Sequence, residues 1–409
     1  MNPSPLGRPL TAALLLATFM LVPPAVTYLF PVSSFTPGAI VACLLGLVLV
    51  PPRWTARVFA TGAFKSGALL LGLALGVHFV VASVLVKTDA VRFVGSAFIM
   101  LMIYAVASAS SVSIFGAISK RGLHAIFFLM LTFVVLMKMG LVVPGPDITT
   151  KSVFPFSEPS FFGLAFLPLL LWCSASAKKQ YRFLFVIVGV ATALVLQNLT
   201  MLAGTLLVLV AISSARGIVV MAALLVGALL VSGFDLSYYA ERLNFSGENN
   251  NVSTLAFIQG WQLIDESMSK SSGWGVGFSQ MGINGSEVEA AELIYLIVGT
   301  YTNLNDGTFI FSRLASDFGV FGVALTLYYL WVVRRSFVAI RRYSLGRLEL
   351  LSGEALAHTV ILMSVIDVFV RGIGYLTGSM IVFVSACQFL YGPFARSWME
   401  RAVGRRIAA

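Results

Sequence analysis

Apolar residues run through this chain in long blocks separated by short polar punctuation. The blocks show neither the strict alternation of a half-buried strand nor the one-sided stripe of a soluble helix. Twelve of them approach or reach the length needed to cross about 30 Å of hydrocarbon: residues 10-30, 36-50, 66-86, 91-109, 123-143, 160-177, 183-197, 199-213, 217-233, 308-333, 352-370 and 376-391. The pattern predicts an all-α polytopic integral membrane protein of about 12 transmembrane helices. Runs 36-50, 183-197 and 199-213 carry about 15 residues each, short of the usual ~17 to 25. The pair around Gln197 and Asn198 therefore reads either as a helical hairpin that only partly crosses or as a single broken element.

The polar stretches are short with one exception, the 73 residues from Phe234 to Asp306. They divide the chain into residues 1-233 with nine helices, a large loop 234-306, and residues 307-409 with three helices and a tail. A loop of that size on an economical membrane protein is more often functional than idle. Within it, Ser253 or Thr254 is placed to cap a helix running to about Met268, and a glycine-rich turn, Ser272 to Phe278, follows. The acidic amphipathic stretch Ser286 to Val298 suits a membrane surface.

Composition agrees with the pattern. Of 409 residues, 58% are hydrophobic and 11% charged, and the mean hydropathy is +0.93, which excludes a soluble globular domain. The first apolar run lacks a clear small-residue cleavage site and reads as a retained helix. Cys43, Cys173 and Cys387 all fall inside apolar runs, where a disulfide framework is not expected. The chain has no nucleotide-binding loop, no paired cysteine ligands and no internal repeat of the kind that builds transporters from two similar halves.

Charge sets the expected orientation. With the N-terminus in the cytoplasm, 19 of the 27 basic residues and only Glu349, Glu354 and Glu400 of the 17 acidic ones lie on the inner side. This positive-inside bias puts both termini in the cytoplasm and the large loop outside. It accounts for the net charge of +10 through topology and anionic lipid, with no nucleic acid partner.

Against this background a few charges stand out. Glu158, in Phe154-Pro-Phe-Ser-Glu-Pro-Ser-Phe-Phe-Gly163, is an acid at a membrane entrance, expected beside Phe156, Phe161 and Phe162. It is read in two ways: as a group in contact with substrate, supported by Ser157 and Ser160, or as an acid that complements a helix dipole ahead of Pro159. Arg313 precedes Asp317 on a helix running inward, and Arg371 follows Asp367 on one running outward. Each pair is spaced i,i+4, which places both arginines nearer the outer surface. The pairs either neutralise themselves for insertion or form an anion site in which each Asp holds an arginine fork outward. Arg242, just after the ninth run, is either a third donor or a boundary partner of Glu241. Lys87, Arg92, Lys138, Lys151 and Lys270 also break the inside rule; Lys87, Lys151 and Lys270 read as solvated loop charges, Lys138 as a side chain that snorkels from the outer half of its helix, and Arg92 carries no assigned role. His78, His124 and His358 are expected in core or interface positions.

Three local patterns carry a family resemblance. They are Phe156-Ser-Glu-Pro-Ser-Phe-Phe162; Arg242 followed by Trp261 and Gly273-Trp-Gly-Val-Gly-Phe278; and Asn303-Leu-Asn-Asp-Gly307 leading to Arg313 and Asp317-Phe-Gly-Val-Phe-Gly322. With the topology, they make the chain resemble the Wzy-type polymerases of the O-antigen polymerase and ligase superfamily over most of its length. The resemblance implies a GT-C-like membrane fold with one large periplasmic loop in the bacterial inner membrane. It also implies a glycosyltransferase that joins undecaprenyl-pyrophosphate-linked oligosaccharide repeat units, with Glu158 as base and Arg242, Arg313 and Arg371 on the pyrophosphate. Expected partners are the lipid-linked glycans, membrane lipid, a chain-length regulator and a flippase. No cofactor or metal is expected, since fixed cations can carry the developing charge. The ligases of the superfamily typically have a histidine near the end of the large loop, where this chain has Asn303 and Asn305, which favours a polymerase. A ligase or a lipid-linked oligosaccharide flippase remains the alternative.

Overall fold

The computed structural model describes residues 7-30, 34-141, 152-214, 216-219, 242, 251-283, 287-372 and 374-392. Among them fourteen α-helices follow in chain order: α1 (Gly7–Leu29), α2 (Thr36–Leu49), α3 (Pro52–Ala60), α4 (Gly62–Leu85), α5 (Ala90–Phe115), α6 (Lys120–Lys138), α7 (Pro159–Ser176), α8 (Arg182–Val195), α9 (Leu199–Ile212), α10 (Val252–Lys270), α11 (Glu289–Val298), α12 (Ile310–Ser344), α13 (Ser352–Phe369) and α14 (Gly378–Tyr391). No strand occurs among the described residues; Val153 and Phe156 form one isolated bridge. Eleven of the twelve apolar runs coincide with helices, and the twelfth, 217-233, lies outside the described residues apart from its first three positions.

Seven helices, α1, α4, α5, α6, α7, α12 and α13, are long and apolar enough to cross a membrane. Helices α2 and α3 meet at 105° and pass the same test only as one bent element. The chain is a multi-pass membrane protein. Helices α8, α9 and α14 hold 14 residues each, about 21 Å by the helical rise and shorter than the hydrocarbon core. Between α8 and α9, Gln197 turns with φ 48° and Asn198 Oδ1 accepts from Met201 N at 3.0 Å, capping a new helix. The pair is thus a hairpin of two short helices, and the single broken element is set aside.

Helix α7 lies at the centre of the packing, against α6, α8, α9, α12 and α13, and Phe162, Phe166 and Trp172 on it are fully buried. Trp172 Nε1 donates to the Ser352 carbonyl at 3.1 Å, satisfying its one polar atom. Small residues bring the helices close: Gly189 faces Leu170 and Thr205, and Gly204 faces Leu167. Such residues suit membrane helix interfaces, where apolar burial from water supplies no drive between helices.

The described part of the large loop packs on the bundle. Helix α10 packs on α11 and α12. Its cap is Asn251, whose side chain accepts from Ser253 N at 3.0 Å, two or three residues before the expected Ser253 or Thr254. Thr254 instead donates to the Arg242 carbonyl at 3.0 Å. Helix α11 buries Ala290, Ala291 and Ile294 and leaves Leu296 77% exposed, which agrees with an amphipathic element.

Candidate functional site

The site is built around a break in α12. Gly319, with φ 55° and ψ −134°, is non-helical, so the ladder stops for one turn and the carbonyls of Ser316 and Asp317 are free to accept. The glycine-rich turn after α10 fills the gap. Val276 N donates to Ser316 O and Gly277 N to Asp317 O, both at 2.9 Å, and Val320 N returns to Gly273 O at 2.9 Å. Side chains have no room here. A Cβ on Gly319 would strike Gly273 O, and one on Gly275 would meet Gly319 N, with Gly275 itself at φ 95°. These glycines therefore serve backbone approach, and the break fixes the turn of helix that carries Arg313 and Asp317.

Arg313 is 4% exposed and held on every side. Nη1 reaches Asp306 Oδ1 at 3.1 Å and Nη2 donates to Ser279 Oγ at 3.1 Å. The guanidinium lies 4.7 Å from the centre of the Tyr375 ring, and Nε stands 3.7 Å from Asp317 Oδ2, an ion-pair distance too long for a hydrogen bond. Asp317 is fully buried and its Oδ2 accepts from Ser279 N at 3.0 Å. Ser279 itself has φ 61°, an uncommon left-handed position for a serine that ties the loop to both charges. Tyr375, between α13 and α14, is 4% exposed. Burial, then the nearby Asp317 charge, holds its phenol well above the ordinary value of 10.0.

Arg371 is placed differently from the expectation. Helix α13 ends at Phe369, and Arg371 N turns back to Ile366 O at 2.9 Å, so Arg371 is not on the helix face of Asp367. Asp367 Oδ2 accepts from Ser379 Oγ at 2.9 Å. Arg371 Nη2 pairs with Glu158 Oε2 at 3.0 Å and lies 5.6 Å from the Phe161 ring centre.

Glu158 occupies the N-cap position of α7, with Pro159 at the first helical position, yet its side chain makes no cap hydrogen bond. Oε2 accepts from Arg371 and, at 2.9 Å, from Ser160 Oγ. Among the described residues nothing hydrogen-bonds Oε1. Its side chain is 48% exposed, which corrects the expectation of a carboxylate enclosed by aromatics. The extended backbone at Glu158, φ −128° and ψ 144°, carries the acid outward while Phe156 and Phe162 pack inward in edge contact. The Ser157 carbonyl accepts from Ser152 Oγ at 2.8 Å, which makes Ser157 part of the framework below.

Glu158, Arg313 and Arg371 meet on one polar cavity of about 1010 Å³, at the end of the bundle that carries the large loop. Arg92 and Asp306 complete its charged lining, and Ser96, Ser279 and Asn305 are among its polar residues. Asp317 and Asp367 stand behind this surface, and Arg242 is not among the described residues that line it. The expected third donor is therefore not brought to the cavity; Arg92 is. Arg92 broke the inside rule in the sequence, and Asp306 stood in a quoted motif, but nothing local marked either as part of one site. On the other side of Tyr375, whose ring carries Arg313, lies an apolar cavity of about 440 Å³ walled by α1, α4, α5, α7, α12, α13 and α14.

The three histidines take other places. His78 stacks on Trp274 at 5.3 Å and contacts its carbonyl at 3.1 Å, His358 meets Ser336 Oγ at 3.1 Å, and His124 packs edge-on against Trp172. Among the described residues no three His, Cys, Asp or Glu side chains group as a metal site.

What the cavity offers chemically is the half-exposed Glu158 carboxylate with one open oxygen, a second carboxylate, Asp306, paired with Arg313, and three guanidinium groups. Such a set can accept a proton and hold a multiply charged oxyanion. No family model matches the chain, and neither a curated protein nor a solved structure shows significant similarity to it.

Proposed function

We propose that this chain is a Wzy-type polymerase that joins undecaprenyl-pyrophosphate-linked oligosaccharide repeat units. In this proposal it has a GT-C-like fold of about twelve crossings in the bacterial inner membrane, termini in the cytoplasm and the cavity on the periplasmic side. The observation that carries it is the single polar cavity lined by Glu158, Arg313 and Arg371, three residues distant in sequence with chemistry matched to glycosyl transfer from a pyrophosphate. The adjoining apolar cavity supports a lipid-linked substrate.

In the reaction, the acceptor sugar hydroxyl oxygen bonds to the anomeric carbon of the growing chain. The bond from that carbon to the pyrophosphate oxygen breaks, and its electron pair leaves with the lipid pyrophosphate. Glu158 takes the hydroxyl proton, with Oε1 as the open acceptor. Arg371 and Arg313 meet the charge that develops on the leaving group, an effect worth about 3 to 4 kcal/mol for one well-placed donor. An incoming pyrophosphate competes with Glu158 for Arg371, so donor binding frees the base. A chain-length regulator and a flippase are the partners this activity calls for.

The test is the surface glycan ladder. Cells lacking the chain should display a single capped repeat unit; display of none points to the flippase, and an unchanged ladder removes the proposal. Wild-type protein should restore the ladder, and Glu158→Gln at equal protein level should not. Polymerisation by purified protein should continue in EDTA. Loss reversed by magnesium or manganese overturns the metal-free step.

A further inference from the structure

Arg92 reaches the cavity from α5, a helix with no expected site residue. It is the third residue of that helix, where Asp89 Oδ1 accepts from Val91 N at 2.9 Å and Arg92 N at 3.1 Å. A cation in the first turn works against the helix dipole, so Arg92 is not explained by helix stability. Its side chain is engaged from the cavity side instead: Nη1 donates to Asn305 Oδ1 at 3.1 Å and Nη2 to the Asn305 carbonyl at 3.4 Å.

One turn further on, Ser96 Oγ donates to Ser279 Oγ at 2.9 Å. That oxygen also receives Arg313 Nη2, and Arg313 Nη1 reaches Asp306, the neighbour of Asn305. The contacts close a ring, from Arg92 through Asn305, Asp306, Arg313, Ser279 and Ser96 back to α5, and all six residues line the cavity. Both guanidinium groups thus line one cavity, tied to adjacent residues of the loop. Arg313 already has the Asp306 carboxylate, whereas the Arg92 fork is held only by a neutral amide and a carbonyl, which the oxygens of an anion outcompete.

We infer that Arg92 is the third guanidinium ligand of the diphosphate group that this cavity receives, in the role expected for Arg242. Asn305 and Asp306 hold the Arg92 and Arg313 forks until the anion's oxygens replace theirs. The assignment rests on reading the cavity as a diphosphate site. It adds a ligand from a helix about 220 residues before Arg313.

The experiment measures binding of inorganic pyrophosphate to the purified full chain in detergent micelles. Arg92→Gln should weaken it at least tenfold. Arg92→Lys should fall between, because an ammonium keeps the charge and loses the fork. Lys270→Gln, which removes an exposed charge paired with Glu266, should bind like wild type. Arg92→Gln binding within twofold of wild type overturns the inference, as does undetectable binding by wild type. If Arg92→Gln does not fold, Arg92→Lys decides: a loss of threefold or more supports the assignment and wild-type affinity removes it. Arg92-dependent binding with an unchanged ladder in cells lacking the chain leaves the anion site standing and removes the polymerase. Wild-type binding by Arg92→Gln with the ladder lost in Glu158→Gln does the reverse.

Discussion

Arg313 and Arg371 start from the same sequence pattern, an arginine and an aspartate four residues apart at a membrane boundary, and end in opposite states. Arg313 is buried, with Asp306, Asp317, Ser279 and the Tyr375 ring around it. Arg371 is more open and its one ion pair reaches 213 positions back to Glu158. The helix decides the difference. Helix α12 continues from Arg313 to Asp317 before breaking at Gly319, whereas α13 stops at Phe369, before its arginine is reached. An i,i+4 spacing is a contact only where the helix spans both residues. Arg313 is thereby anchored by buried partners with only its Asp306-bound edge turned to the cavity, whereas Arg371 can give up its carboxylate for a ligand without disturbing the scaffold.

Removing support from the fixed arginine should cost most. Asp317→Ala leaves a buried guanidinium short of a partner and is expected to destabilise by about 3 to 5 kcal/mol, read as a large fall in the unfolding midpoint in mild detergent. A midpoint near wild type would show that Asp306, Ser279 and Tyr375 hold Arg313 without it. Gly319→Ala follows, at about 3 kcal/mol, from a disfavoured φ and a Cβ driven into the loop backbone. Here the loop should also come free, so proteolysis within residues 271-278 is a second readout. Tyr375→Leu removes the ring under Arg313, and a loss of about 2 kcal/mol is expected for a desolvated cation–π contact.

Glu158→Gln should have the smallest effect on stability, within about 0.5 kcal/mol, since the side chain is half-exposed. It should nonetheless abolish polymer. A large drop in melting temperature with this variant would make the Glu158–Arg371 pair structural and erase the contrast between the two arginines.

Much of the architecture was legible along the chain. Eleven helices lie where the apolar blocks predicted, and Gln197-Asn198 marked the α8–α9 turn. The site was legible in part. Glu158 was conspicuous as a lone acid, and Arg313 with Asp317 were paired by spacing. That Arg92 lines the cavity and Arg242 is not among its lining residues had no local signal. Nor did the use of Gly273, Gly275 and Gly277, which as a sequence motif look like any glycine-rich turn and prove to fill the break at Gly319.

The sequence by itself determined that this is an all-helical, multi-pass membrane protein. In hydrocarbon every backbone polar group must be satisfied within its own segment, so apolar length translates directly into helix. The tertiary structure alone decided which charges share a cavity. Hydrogen bonds and ion pairs between residues some 30 to more than 200 positions apart depend on where each helix ends and how the bundle closes. Those are properties of packing, to which local hydropathy and spacing are blind.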